Sequence, residues 1–294
     1  MTFRIAHISD THLSRNKPYF VANFLTAAKH IANIGADLVL HTGDISLDGS
    51  AQEDDLIEAK RLHEAVDLPL RFIPGNHDIG ESQDAPGHAG LPTLSGLTRE
   101  RYLRHFGPDY WSLDVPGWRI LAINDFLLGS NLSAADAQIR FVRERVSTAG
   151  SMPLALFMHR PLFLAAPDEQ DITARCINPL PRAQLVAALG AVMPALIGSG
   201  HVHQFFASNR LGSHHVWAPS TGFILPDLRQ PRYGLKQTGY VEHLLQPDGR
   251  HLSRLVCVRG LECLSIANFP EAYAQYAVSA VAQPKDAARE VGPS

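Results

Sequence analysis

The chain has 294 residues, 45% of them hydrophobic and 19% charged, with a formal net charge of −3. That is enough apolar material for a substantial core, and no basic block stands out, which argues against nucleic acid or a membrane surface as partner. No apolar run approaches the length of a bilayer span.

Residues 3–9 open the chain as a short, apolar, β-rich strand, which predicts that no cleaved leader precedes the chemistry. Three scattered cysteines, Cys176, Cys257 and Cys263, lack CxxC spacing and read as reduced packing residues of a cytoplasmic protein. Residues 19–34 place Phe20, Phe24, Ala27, Ile31 and Ile34 at helical spacing, and Gly35 follows as a stop. Residues 36–41 form a second apolar strand that ends in Thr42-Gly43-Asp44. A helix over 51–66 carries Leu56, Ala59, Leu62 and Val66 inward, and a third strand over 68–73 closes at Pro74-Gly75. Apolar strands without polar alternation, separated by helices, describe a sheet covered on both faces.

Residues 79–98 are rich in Gly, Pro, Ser and Asp and have no period, the composition of a functional loop. A short helix near 98–105 precedes strands at 110–115 and 119–124, which turn at Pro116-Gly117. A helix over 134–148 has Ile139, Val142 and Val146 on one stripe, and a strand over 154–158 ends at His159-Arg160-Pro161. Residues 161–181, with four prolines, are a second irregular stretch. A helix over 182–192 and a strand over 194–198 lead to Gly200-His201. Hairpins follow, pairing 205–209 with 214–218 and 240–245 with 252–258. The pattern predicts one domain with C-terminal hairpins over residues 1–260, and an extension over 261–294 that loosens from about 280.

Four motifs carry the chemistry: Asp10-Thr11-His12, Gly43-Asp44, Gly75-Asn76-His77-Asp78 and Gly200-His201-Val202-His203, with His159 between the last two. Each follows the end of a predicted strand, where side chains of open α/β sheets converge. Asp10 and His12, like His201 and His203, stand two apart, a spacing that in extended chain puts both side chains on one side. Carboxylate, imidazole and carboxamide donors in this number suit two hard or borderline cations side by side, a common device for cleaving phosphate esters. Without a thiolate the set favours manganese, iron, cobalt or zinc over calcium or copper(I).

This order of motifs resembles the calcineurin-like metallophosphoesterase superfamily over residues 10–203. Ile8-Ser9-Asp10-Thr11-His12 and Gly200-His201-Val202-His203 are similar to its class III cyclic-nucleotide phosphodiesterase and glycerophosphodiesterase branch. The resemblance implies an α/β fold, a four-layer α/β/β/α sandwich of two mixed sheets flanked by helices. It implies two divalent or trivalent metal ions (Mn, Fe, Zn or Co), the first on Asp10, His12, Asp44 and His203, the second on Asp44, Asn76, His159 and His201. Asp44 would bridge, and the catalytic set would be Asn76, His77 as acid or charge stabiliser, and Asp78 orienting His77. The implied reaction is hydrolysis of a small phosphodiester, a cyclic nucleotide or a glycerophosphodiester, by a metal-bridging hydroxide, and homo-oligomers are common in such proteins. His77 in that role would donate a proton or hydrogen bond to the departing alkoxide.

Two other functions compete. Protein phosphatases of the superfamily carry GDxxDRG, whereas Gly43-Asp44 continues as Ile45-Ser46-Leu47-Asp48-Gly49 without arginine, which disfavours a phosphomonoesterase. A non-catalytic metal-binding scaffold would be expected to lose ligands, and this chain keeps them all. Among the remaining histidines, His30, His63, His88, His105, His243 and His251 read as surface or helix-face residues, and His7 and His41 as buried strand positions. His214 and His215 leave a substrate contact open, as does Arg160, for which a surface role weighs equally; Phe205-Phe206 reads as core or interface.

Overall fold

The computed structural model describes residues 1–84 and 91–273. The elements expected from apolar periodicity form, with ends shifted by a few residues. In chain order they are β1 (Phe3–Ile8), α1 (Val21–Ile34), β2 (Leu38–His41), α2 (Glu53–Glu64), β3 (Leu70–Phe72), α3 (Asn76–Ile79), α4 (Gly96–Phe106), β4 (Trp111–Val115) and β5 (Trp118–Ala122). Then come α5 (Ser133–Ser147), β6 (Leu154–Phe157), α6 (Pro179–Leu189), β7 (Leu196–Ser199), β8 (Phe206–Arg210), β9 (Ser213–Trp217), β10 (Tyr240–Leu245) and β11 (His251–Val256). The one-turn α3 and the 3-10 turns Asp125–Leu127 and Ile266–Asn268 had no periodic signal. Helix α6 starts earlier than expected because Pro179 sits at its first positions, where no backbone N–H is needed.

One sheet has the order β11-β10-β1-β2-β3, the other β4-β5-β6-β7-β9-β8. Strands β1, β2 and β3 are parallel to each other, and β10 joins β1 antiparallel. In the second sheet β5, β6, β7 and β9 are parallel, with β4 and β8 antiparallel at the edges. The period of two in each strand separates the layers. Ile5, Leu38 and Leu40 pack with Ile120, Ala122 and Phe157 between the sheets. Ala6, Ile8 and Val39 face the other way, onto Phe24, Ile31, Leu56 and Tyr102 of the helices. Leu121, Leu154 and Leu156 likewise meet Val142, Leu185 and Leu189 of α5 and α6. The result is the expected α/β/β/α sandwich of two mixed sheets, in which each fully buried aliphatic side chain contributes about 1.5–3 kcal/mol.

The described residues beyond the last strand, up to Tyr273, pack onto the domain. Ile266, Ala272 and Tyr273 are buried against Phe20, Leu47 and Phe223. The stretch expected to loosen from about 280, and His88, lie outside the described residues. Cys176 is buried, but Cys257 and Cys263 are exposed, so only the first is a packing residue. No helix among the described residues is long and apolar enough to cross a membrane.

Candidate metal centre

The loops after β1, β2, β3, β6 and β7 bring Asp10, His12, Asp44, Asn76, His77, His159, His201 and His203 together. Five of these residues have positive φ: Asp10 at 55°, His12 at 47°, Asp44 at 52°, His201 at 66° and His203 at 55°. Asp10 and His12 are therefore not extended, as their spacing suggested; left-handed turns aim them. Asp and His tolerate this region better than most residues, and its cost of order 1–3 kcal/mol each is characteristic of functional sites. Cross-loop hydrogen bonds hold the turns, with Asp10 N donating to Gly43 O and His12 N to Asp44 O, both at 3.0 Å. Gly75 and Gly200 are among the glycines that close contact requires. A Cβ on Gly75 would stand 2.1 Å from Asp44 Oδ1, and one on Gly200 would stand 1.8 Å from Ser9 Oγ.

The donors form two groups that share Asp44: Asp10, His12, Asp44 and His203, and Asp44, His159 and His201. In the first, Nε2 of His203 lies 3.3 Å from Asp10 Oδ1, and Nε2 of His12 lies 3.8 Å from Asp44 Oδ2. In the second, His159 Nε2 lies 3.4 Å from the same Asp44 Oδ2 and 3.0 Å from His201 Nδ1. The outward nitrogens meet oxygens: His159 Nδ1 with Thr42 O at 2.7 Å, His201 Nε2 with Ala174 O at 2.8 Å, His203 Nδ1 with Phe223 O at 2.8 Å and His12 Nδ1 with the Tyr273 phenol at 2.6 Å. Such bonds set the orientation of each ring and aim its other nitrogen inward, as a metal ligand needs. Asn76 Nδ2 donates to Glu81 Oε1 at 2.8 Å, while Asn76 Oδ1 is buried with no hydrogen-bond partner among the described residues. A buried carbonyl oxygen left without a donor fits a cation.

Burial alone would raise the pKa of Asp10 and Asp44, yet His203 beside the first and His159 beside the second hold both well below the usual carboxylate range. Burial likewise opposes a charge on His159, but Asp44, aided by Asp10 and Asp125, pushes it up to about 10. Two buried carboxylates in one pocket demand compensating positive charge, the electrostatic requirement of a cation site. His12, by contrast, is lowered by burial and stays neutral. The donor set thus fits two cations.

His77 Nδ1 donates to the Leu47 carbonyl at 2.7 Å, which leaves Nε2 for the cavity. This corrects the expectation that Asp78 orients His77. The buried Asp78 carboxylate instead accepts from Ile45 N, Ser46 N, Ser46 Oγ and Gly75 N, and so ties the β2 and β3 loops together. Arg160 does not reach the cavity: it is fully buried, 2.7 Å from Asp125 Oδ2. His63 and His243 are buried rather than surface residues, bonded to Ala59 O and to His7 and Ser253. His214 meets His251 and His215 packs on Phe163, and neither lines the cavity.

A cavity of about 160 Å³ opens over His12, Asp44, Asn76, His77, His201 and His203. Its other walls include Arg175, Arg229, Gln230 and Tyr273, which belong to no motif and were not singled out from the sequence. Only their location in the irregular 161–181 stretch and the C-terminal third hinted at them.

The profile of the calcineurin-like phosphoesterase family matches residues 3–205. The chain belongs to that family. As a calcineurin-like phosphoesterase it is a member of a group of hydrolases that use two metal ions. It is 28% identical over 187 residues to the 3',5'-cyclic adenosine monophosphate phosphodiesterase CpdA of Pseudomonas aeruginosa, across 63% of this chain and 61% of that protein. It is 31% identical over 161 residues to the serine/threonine-protein phosphatase CPPED1 of Homo sapiens, across 52% of this chain and 47% of that one. The matched region thus spans about half to three-fifths of these relatives. The purple acid phosphatase PPD1 from yellow lupin (Lupinus luteus) seeds shares the fold, with a TM-score of 0.65 at 13% identity over 90% of this chain and 52% of that chain.

Proposed function

We propose that this phosphoesterase hydrolyses a small phosphodiester, a cyclic nucleotide or a glycerophosphodiester, with two cations of Mn, Fe, Zn or Co drawn from a cytoplasmic pool. The observation that carries the reading is the sharing of Asp44 between two adjoining donor groups on one cavity wall. Asp10, His12, Asp44 and His203 would hold the first cation, and Asp44, Asn76, His159 and His201 the second. When bound, the pair would supply charge neutralisation at the phosphoryl oxygens and a water acidic enough to act near neutral pH. Asn76 contributes a neutral oxygen, so the centre keeps net positive charge for the phosphate. His77, anchored through Nδ1 to Leu47 O, holds its Nε2 toward the cavity, where its imidazolium form would give a proton or hydrogen bond to the leaving oxygen.

A phosphomonoesterase, including a protein phosphatase, is the second reading. Arg175 and Arg229 favour it, because they line the cavity and a guanidinium fork matches phosphate oxygens. They offer from other loops what the sequence after Asp44 lacks. The test is kcat/KM of the metal-loaded chain on bis(p-nitrophenyl) phosphate, cyclic nucleotides and glycerophosphodiesters against p-nitrophenyl phosphate, with metal analysis of the same sample. Diesters should be preferred. His77→Ala should lower kcat about 100-fold with metal content unchanged. A preference for the monoester would promote the second reading, and no turnover on any ester by the dimetal form would defeat both.

A further inference from the structure

The four imidazoles of the centre are oriented in two ways. His159, His201 and His203 point their outer nitrogens at main-chain carbonyls of Thr42, Ala174 and Phe223. His12 points its own at a side chain, the phenol of Tyr273, at 2.6 Å. Tyr273 is 4% exposed and borders the cavity. Its ring stands edge-on to His12 and His77, with centroids 5.9 Å and 5.1 Å away, and 5.9 Å from Phe223.

We infer that Tyr273 is a positioning residue for His12, so that the C-terminal segment completes the metal centre; the inference rests on the reading of His12 as a ligand. With Nε2 turned toward the carboxylates, neutral His12 carries its hydrogen on Nδ1 and donates it to the phenol oxygen. A purely apolar ring at 273 would pack equally well but would strand that buried N–H. The segment is anchored to serve this end. Phe269 packs on Tyr19 and Phe20, and Lys17 Nζ donates to Ala272 O at 3.2 Å. It lies outside residues 3–205, where the family profile matches.

The test uses the full chain and its Tyr273→Phe variant. Dissociation constants for Co(II) and Mn(II) are measured by chelator competition, with the visible spectrum of the Co(II) form and the melting temperature of the metal-free form. Outer hydrogen bonds of metal-ligating histidines influence affinity by roughly 10–100-fold. Tyr273→Phe should therefore weaken one of the two cations by about 10-fold or more and shift the Co(II) bands, while the metal-free Tm, where His12 can carry its hydrogen on Nε2 facing Asp44 instead, stays close to the parent. Phe269→Leu, which loosens the segment but keeps the phenol, should weaken the same cation by clearly less than Tyr273→Phe does. In the Zn(II)-loaded parent, histidine 15N NMR should show a protonated His12 Nδ1 whose resonance moves in Tyr273→Phe, a reading available even if metal-free variants are hard to handle. Equal affinities and unchanged spectra for parent and Tyr273→Phe would overturn the positioning role alone. A parent that binds no cation would overturn the ligand reading beneath it.

Discussion

Asp78 gives the sharpest test of how the loops are held. Its two oxygens accept four hydrogen bonds, from Ile45 N at 3.2 Å, Gly75 N at 2.9 Å, Ser46 N at 2.9 Å and Ser46 Oγ at 2.7 Å. Asp78→Asn keeps one oxygen and turns an NH₂ toward two of these donors. Each buried donor left unpaired costs about 1–3 kcal/mol, so the variant should lose about 2–6 kcal/mol of stability before relaxation. The acidic residue also leaves a pH signature. Burial, with Asp44 close by, pushes the Asp78 carboxyl up to about 6 from its ordinary 3.8. Because the folded value is the higher one, the native state takes up the proton first. The group's contribution to stability is fully present below 3.8 and is lost as pH rises through about 6. From those two values the parent should gain about 1.4 kcal/mol as pH falls from roughly 7.5 to roughly 5, a gain the asparagine cannot share. Urea unfolding of the chelator-treated proteins at both pH values measures the gap, which should widen at the lower pH. A gap that stays constant or narrows would refute the account of Asp78 as a buried buckle.

Asp44→Asn removes the carboxylate common to both donor groups, so metal analysis should show the two occupancies falling together; full occupancy of either would contradict the bridging role. The same substitution takes away the main cause of the raised His159 pKa, so NMR titration of the metal-free protein should find that histidine moving down from about 10. Arg175→Ala, on the cavity wall but outside the donor groups, should raise KM by about 10-fold with kcat little changed, the mark of binding shared by ground and transition states. A loss confined to kcat would instead place the guanidinium on the reacting phosphate.

The layers and the gathering of the candidate donors were legible in sequence because both rest on local patterns. Apolar strands such as Leu38–His41 between amphipathic helices carry their own periodicity. The donors each follow a strand whose parallel partners fix where they end up. What stayed hidden is relational. Asp78 stands beside His77 in sequence, yet its partners are Ile45, Ser46 and Gly75, because α3 turns the two side chains apart. His63 and His243 looked like surface residues because a single histidine has no periodic signal, and only the packing of α2 and β10 buries them. Arg175, Arg229 and Tyr273 come from irregular segments, where neither period nor motif marks an inward residue.

The distribution of strain explains why this edge of the sandwich can present a finished donor set. Leu211 is the only residue other than glycine, among those described, with positive φ outside the metal-ligand candidates. Everywhere else such backbone falls to glycine or is avoided. An energetic cost repeated at five candidate metal-ligand positions persists only if the surroundings over-determine it. They do so through backbone bonds from Asp10 to Gly43 and from His12 to Asp44, through the bond from His77 N to Asp44 Oδ1 at 2.9 Å, and through glycines 75 and 200, where an added Cβ would force Asp44 or Ser9 to shift. These constraints run from loop to loop and fix the backbone that carries the candidate donors. Substituting Gly75 by alanine would accordingly displace Asp44 itself, which makes that small residue as much a part of the centre as the carboxylate it touches.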